Sequence, residues 1–128
     1  SEEAAGVHGV IIPKRNSVTL NYTVAKTSAG AIEYVPVVKV ANLPAAIDEL
    51  KSRGVWIFGA DMDGTDYTAL DYSGSIALVI GSEGKGIGRL VREKCDFIAS
   101  LPMRGKINSL NASVAAGILM FEAAKHRN

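Results

Sequence analysis

The 128-residue sequence holds a single cysteine, Cys95, so no intrachain disulfide can brace it and no multi-cysteine zinc site can form. A lone thiol in an uninterrupted globular sequence suits a reducing cytoplasm. Charge of one sign is equally scarce: 14 Lys and Arg face 13 Asp and Glu, a formal net charge of +1. That balance excludes a strongly basic chromatin-type binder and leaves room only for a local basic patch. No apolar run approaches the roughly 18 residues a membrane span needs, and the acidic start (SEEAAG) is not a secretory signal. Internal repeats and low-complexity segments are absent. What is present is an ordinary globular composition, 48% hydrophobic and 21% charged, which excludes a disordered chain. The length has room for one domain. The expectation is a cytoplasmic domain without membrane attachment.

The sequence opens inside an element. Residues 1–6 (SEEAAG) read as the last turn of a helix closed by a glycine, with no helix body before them. The expected organisation is one domain over residues 1–128, truncated at its N-terminus. Strands are expected at 7–12 (VHGVII, stopped by Pro13), 34–40 (YVPVVKV, which Pro36 places at an edge), 55–60, 76–80 (IALVI, the most apolar) and 97–101. Ala- and Thr-rich 22–31 reads as a short helix. Asn42 caps a clear amphipathic helix with Pro44 in its first turn, Leu43, Ile47 and Leu50 on one face, and Gly54 closing it. Helices follow at 89–94 and 109–126, the latter with Leu110, Val114, Ile118 and Phe121 as its apolar stripe and cations at its C-terminal end. This alternation predicts an α/β fold with a mostly parallel sheet and helices on both faces.

In such sheets ligands sit at the carboxyl ends of strands, where three loops qualify: residues 59–63, 81–88 and 101–109. The second holds four glycines in eight residues, which lets backbone approach a ligand closely. Nucleotide motifs nevertheless fail there. The sixth position of a G-x-G-x-x-G reading from Gly84 is Arg89, and Gly84-Lys85 lacks both the upstream glycine and the following Ser or Thr of a phosphate loop. A plain turn into a helix remains open. In the third loop Asn108 or Ser109 reads as a helix cap, whereas Asn111 lies awkwardly inside the helix. Asp61, Asp63 and Asp66 fit a solvated turn better than a calcium loop. His8 reads as a core histidine, His126 as a cation at a helix end, and Cys95 as a structural thiol.

Taken together, residues 76–88 (IALVIGSEGKGIG) and 101–113 (LPMRGKINSLNAS) resemble the second and third motifs of the SpoU/TrmH-type RNA 2′-O-ribose methyltransferases of the SPOUT superfamily. Residues 4–6 (AAG) resemble the tail of that family's first motif, so the resemblance covers essentially the whole sequence. It implies a sheet whose C-terminal part is threaded as a deep trefoil knot, a rare exception to unknotted topology. It also implies S-adenosylmethionine bound within the knot, largely by backbone groups, and no metal. Residue by residue, Gly81, Leu101 and Leu110 match cofactor-binding positions, with Met103 and the Gly59-Ala60 turn as further walls. Glu83, Ser109 and Asn111 match catalytic positions. The pattern is closest to bacterial enzymes that methylate a guanosine ribose in large-subunit ribosomal RNA, with transfer RNA as the neighbouring substrate. A homodimer with the C-terminal helix at its interface is implied as well.

Two features of the family have no counterpart here. The arginine of its first motif, held to help deprotonate the ribose hydroxyl, is absent, and no arginine precedes Arg15. The strand before that motif, internal to the family's sheet, is absent too, which predicts an open apolar seam. The expectation is a chain that keeps a cofactor pocket and does not turn over. RNA contact would rest on Lys14, Arg15, Lys85, Arg104 and Lys106 and weaken with salt. Behind this reading stand a non-catalytic cofactor- or RNA-binding piece and, further back, a generic α/β nucleotide-binding domain.

Overall fold

Alternation along the strands organises the molecule. In β1 (Val7–Pro13) Val10 and Ile12 join one core cluster and Ile11 the other. In β4 (Trp56–Asp61) Phe58 and Ala60 oppose Ile57, and in β6 (Ile76–Val79) Ile76 and Leu78 oppose Ala77 and Val79. All of these side chains are buried, so both faces of the sheet need cover. Helix α3 (Ser109–Lys125) covers the first face through Ala115, Leu119, Met120 and Ala123. Helices α1 (Leu43–Ser52) and α2 (Arg89–Lys94) cover the second through Leu43, Ile47 and Val91. The computed structural model describes residues 7–13, 22–26, 32–81, 86–101 and 109–125. The segment 102–108, on which the expected knot depends, lies outside them.

The remaining strands are β2 (Tyr22–Lys26), β3 (Ile32–Val40), β5 (Thr65–Asp66) and β7 (Phe97–Ser100). Their order across the sheet is β2-β3-β1-β6-β4-β7-β5. Every pairing is parallel except that of β2 with β3. The expected α/β architecture with helices on both faces is therefore present. The expected open seam is not: β1 pairs directly with β6, and the Ile80 amide donates to the Ile11 carbonyl at 3.0 Å. The join is imperfect, because Val7 and Gly9 register with the consecutive Ile76 and Ala77, leaving His8 as a bulge.

Two local expectations are corrected. Residues 22–26 are a strand rather than the start of a helix: Tyr, Thr and Val suit a pleated surface, and antiparallel pairing with β3 outweighs the alanines around them. Pro36 does not put β3 at the sheet edge, since β2 lies outside it. The proline is accommodated because β3 changes partners there. Residues up to Pro36 register with β2, and Val37 to Val40 register with β1, so a missing N–H interrupts neither ladder.

Helix α1 forms as its sequence signals dictate. The Asn42 side chain accepts from the Ala45 amide at 3.0 Å, a cap worth about 1 kcal/mol. Gly54, at φ +82°, ends the helix with its amide on the Lys51 carbonyl at 3.0 Å. In α3 the buried stripe is not the expected one. Ile118 is only half-buried and Phe121 is 51% exposed, while small Ala115 and Ala123 let the helix approach the sheet. The side chains of Leu110 and Val114 lie outside the described residues.

Candidate functional site

Strand β4 lies between β6 and β7, with Gly59 registered against both Val79 and Ile98, and Asp61 against Ser100. From β4 the chain passes beyond β7 to the edge strand β5 and returns to β6 on the opposite flank, then crosses back to β7. The carboxyl end of β4 is thus the point where connections diverge, the position at which open parallel sheets keep their ligand crevices. The three loops singled out in the sequence all leave from here.

Gly81 follows β6 and is buried. A Cβ there would overlap the Gly86 carbonyl and fall 2.6 Å from the Ile87 amide nitrogen, so Gly86 and Ile87 approach Gly81 as closely as only glycine permits. Gly86 returns at φ +66°, and a Cβ on it would meet Asp61 Oδ1 at 3.0 Å. Leu101 follows β7, is 8% exposed, and packs in the cluster that holds Ala60 and Ile80. Ser109, Leu110 and Asn111 form the first turn of α3, and their side chains lie outside the described residues. With Ser109 already helical, the cap position moves to Asn108, which is also outside them. So are Glu83, Met103 and the five proposed RNA-contacting cations, Lys14, Arg15, Lys85, Arg104 and Lys106. Gly59 and Ala60 are not a turn but the last part of β4, and Gly81 and Leu101 follow directly on the neighbouring strands β6 and β7, so all four lie at the carboxyl end, or rim, of the sheet.

The turn after β4 holds what the sequence did not reveal. Asp61 is not a solvated carboxylate: its Oδ2 pairs with Arg92 Nη1 at 3.0 Å, and its Oδ1 accepts from the Met62 amide at 2.8 Å. Arg92 Nη2 also donates to the Asp63 carbonyl. From the opposite flank, Ser100 Oγ donates to the Met62 carbonyl at 2.9 Å. Asp66 caps the 3-10 turn Tyr67–Ala69, and the Thr68 hydroxyl and amide hold its carboxyl below the usual aspartate value. With these carboxylates engaged, no group of three or more His, Cys, Asp and Glu among the described residues could hold a metal.

Cys95 packs beneath the site, where a Cβ on Gly59 would come within 2.8 Å of its sulfur. Burial first, and Asp96 next, push the thiol up to about 11, so it is neutral at physiological pH and acts as filling, as its sequence context suggested. On the other face Tyr72 is wholly buried and donates to the Tyr67 carbonyl at 2.7 Å. Burial, followed by the charge of Glu122, raises its phenol far above the ordinary value. The rim itself combines an apolar floor of Ala60, Ile80 and Leu101 with close-set backbone. That chemistry fits a nucleoside-type cofactor read by main-chain groups, and the Asp61–Arg92 ion pair at the end of β4 is internally neutralised.

Comparison with known proteins agrees with this geometry. A family model described as the SpoU rRNA Methylase family matches residues 1–121. A Bacillus subtilis protein, whose name places it in the TrmH family of tRNA/rRNA methyltransferases, is 56% identical over 127 residues. That match covers 98% of this chain and 51% of the relative, so the chain spans about half its length. Among solved structures, the SpoU methyltransferase AviRb from Streptomyces viridochromogenes, crystallised with AdoMet, superposes with a TM-score of 0.57 at 31% identity over 70% of this chain and 38% of that one. The TrmH/SpoU tRNA modifying enzyme of A. aeolicus shares the fold, with a TM-score of 0.65 at 22% identity over 98% of this chain and 77% of that one. Among the described residues no helix is long and apolar enough to cross a membrane. A glycine-lined rim at the β4 switch point, and a family match running through both loops that build it, lead to one assignment: the chain belongs to the SpoU rRNA methylase family.

Proposed function

We propose that residues 1–128 form the catalytic domain of an S-adenosylmethionine-dependent RNA methyltransferase acting on a ribose 2′-hydroxyl, with a guanosine of ribosomal RNA preferred over transfer RNA. The observation that carries this reading is the close approach of Gly86 and Ile87 backbone to Gly81 at the end of β6, which sets main chain at the carboxyl end of the sheet. When bound, the cofactor supplies an electrophilic methyl on a sulfonium. Positioning supplies much of the rate in such a methyl transfer. Gly81, Leu101 and Leu110 hold the cofactor, while Glu83, Ser109 and Asn111 orient the acceptor ribose. The C-terminal segment closes the pocket as a trefoil knot.

The functional unit is a cytoplasmic homodimer in this reading. Support comes from a hollow of about 430 Å³ along α3, lined by Tyr67, Gly117, Ile118, Phe121, Glu122 and Lys125, beside the half-exposed Phe121 ring.

The test is a calorimetric titration with S-adenosylhomocysteine, followed by a methylation assay of the full-length protein on ribosomal and transfer RNA. Saturable binding near one per chain, with alkali-resistant label in ribosomal RNA, is the expected result. A folded protein that ignores S-adenosylhomocysteine and binds nucleoside triphosphates instead would overturn it.

A further inference from the structure

Resting on that reading, we propose that Arg92 and Asp61 are positioning residues: a clamp that sets the cofactor-facing turns in place before ligand arrives. Three observations carry this. Helix α2 is only six residues long, and its N-cap, Gly88, provides no side-chain cap, so its own first turn fixes the Gly86–Gly88 return weakly. Arg92 reaches back 31 residues and places two nitrogens on one turn, Nη1 on Asp61 Oδ2 at 3.0 Å and Nη2 on the Asp63 carbonyl. The same Asp61 carboxylate holds the Met62 amide with its other oxygen, the atom that stands 3.0 Å from where a Gly86 Cβ would lie.

One guanidinium thus joins helix α2, which follows the Gly86–Gly88 return, to the turn after β4. Ser100 secures that turn to β7 independently through the Met62 carbonyl, so the clamp governs the β4–β6 side alone. Arginine suits the task because its planar fork serves two acceptors at once, whereas lysine serves one. Both partners are partly exposed, at 37% and 24% of their side-chain surface, so the pair adds little to global stability. Its effect falls on geometry, and geometry is what a preorganised site requires.

The experiment measures S-adenosylhomocysteine affinity, KM for S-adenosylmethionine, kcat and melting temperature in the full-length protein. The variants are Arg92→Met, Asp61→Asn, their double, Arg92→Lys, and Arg53→Met as control. Arg53 makes a more exposed pair with Glu49, 2.7 Å apart, at the end of α1. Arg92→Met and Asp61→Asn should each weaken S-adenosylhomocysteine binding about tenfold, and the double by about the same factor, since the two act as a unit. KM should rise by a similar factor with kcat held within about twofold. Arg92→Lys should fall between, and all melting temperatures should stay within a few degrees of wild type.

Unchanged affinity in both single variants, or losses that simply multiply in the double, overturns the clamp. An affinity loss matched by Arg53→Met would show a general stability effect and overturn it as well. Wild-type protein that fails to bind S-adenosylhomocysteine overturns the methyltransferase reading beneath it, a result distinct from either.

Discussion

Glycine serves two opposite purposes in this fold, and the carboxyl end of the sheet adds close approach to the left-handed angles that Gly54, Gly74, Gly86 and Gly88 share. At the amino end, Gly54 and Gly74 sit at φ +82° and +88°, with nothing within 4 Å of a Cβ on Gly54 and only the Trp56 ring beside Gly74. These glycines permit a backbone angle and have space around them. At the carboxyl end, Gly59, Gly64 and Gly81 have ordinary angles and no space: Gly64 would drive a Cβ to within 2.5 Å of the Ile98 carbonyl, and Gly81 into another turn of main chain. The amino end closes its turns with side chains, as where Asp96 Oδ2 accepts from the Ile57 amide at 2.7 Å. A turn that only reverses the chain needs an angle, whereas one that forms a binding rim needs backbone brought close to backbone.

Substitution separates the two cases. The largest effect is expected from Gly81→Ala, because its colliding neighbours are main-chain atoms that cannot rotate aside. S-adenosylhomocysteine affinity should fall about 100-fold or more, measured by calorimetry. Near-normal binding would erase the distinction between the two ends. Gly59→Ala meets side-chain tips instead, Cys95 Sγ at 2.8 Å and Ile87 Cδ1 at 2.9 Å. It should cost about 1–3 kcal/mol of stability, and part of that loss should return on adding Cys95→Ala, which a double-mutant cycle would measure.

Gly54→Ala is expected to be milder, costing about 1 kcal/mol from its left-handed angle, with cofactor affinity untouched. The last effect concerns Cys95 and shows only at alkaline pH. Its thiol ionises near 11 in the folded chain against an ordinary 9.0, so folded protein holds the proton more tightly than unfolded protein. The resulting stability is complete below about pH 9 and drains away as pH rises through about 11. Chemical denaturation at stepped alkaline pH should show that slope, and Cys95→Ala should remove it.

The same contrast explains what was legible in the sequence. Helix α1 could be read end to end because Asn42, Pro44 and Gly54 act within a few residues of themselves. The rim loops could be located because their glycine density follows directly on an apolar strand. What escaped was decided at a distance. Tyr22–Lys26 is a strand because of the register it finds with β3, and Thr65–Asp66 because it lies against Ala99 and Ser100. Asp61 was misread as a turn residue because its partner lies 31 positions away, with nothing local to announce it. The stripe of α3 lies one step around the helix from the expected one, on Ala115, Leu119, Met120 and Ala123, because the helix is apolar on more than one side and the sequence does not say which side meets the sheet.

The amino end also carries the only tryptophan of the sequence, Trp56, half-exposed with its ring 6.0 Å from that of Phe97. Phe97 continues into Phe58 and Tyr72 at 4.8 and 4.6 Å, so the indole is the outermost member of a stack rooted in the core. This makes the intrinsic emission of the protein a gauge mounted away from the rim. It responds when the stack comes apart and stays constant when a ligand seats at the other end, so one cuvette distinguishes a variant that has lost its fold from one that has lost only its grip.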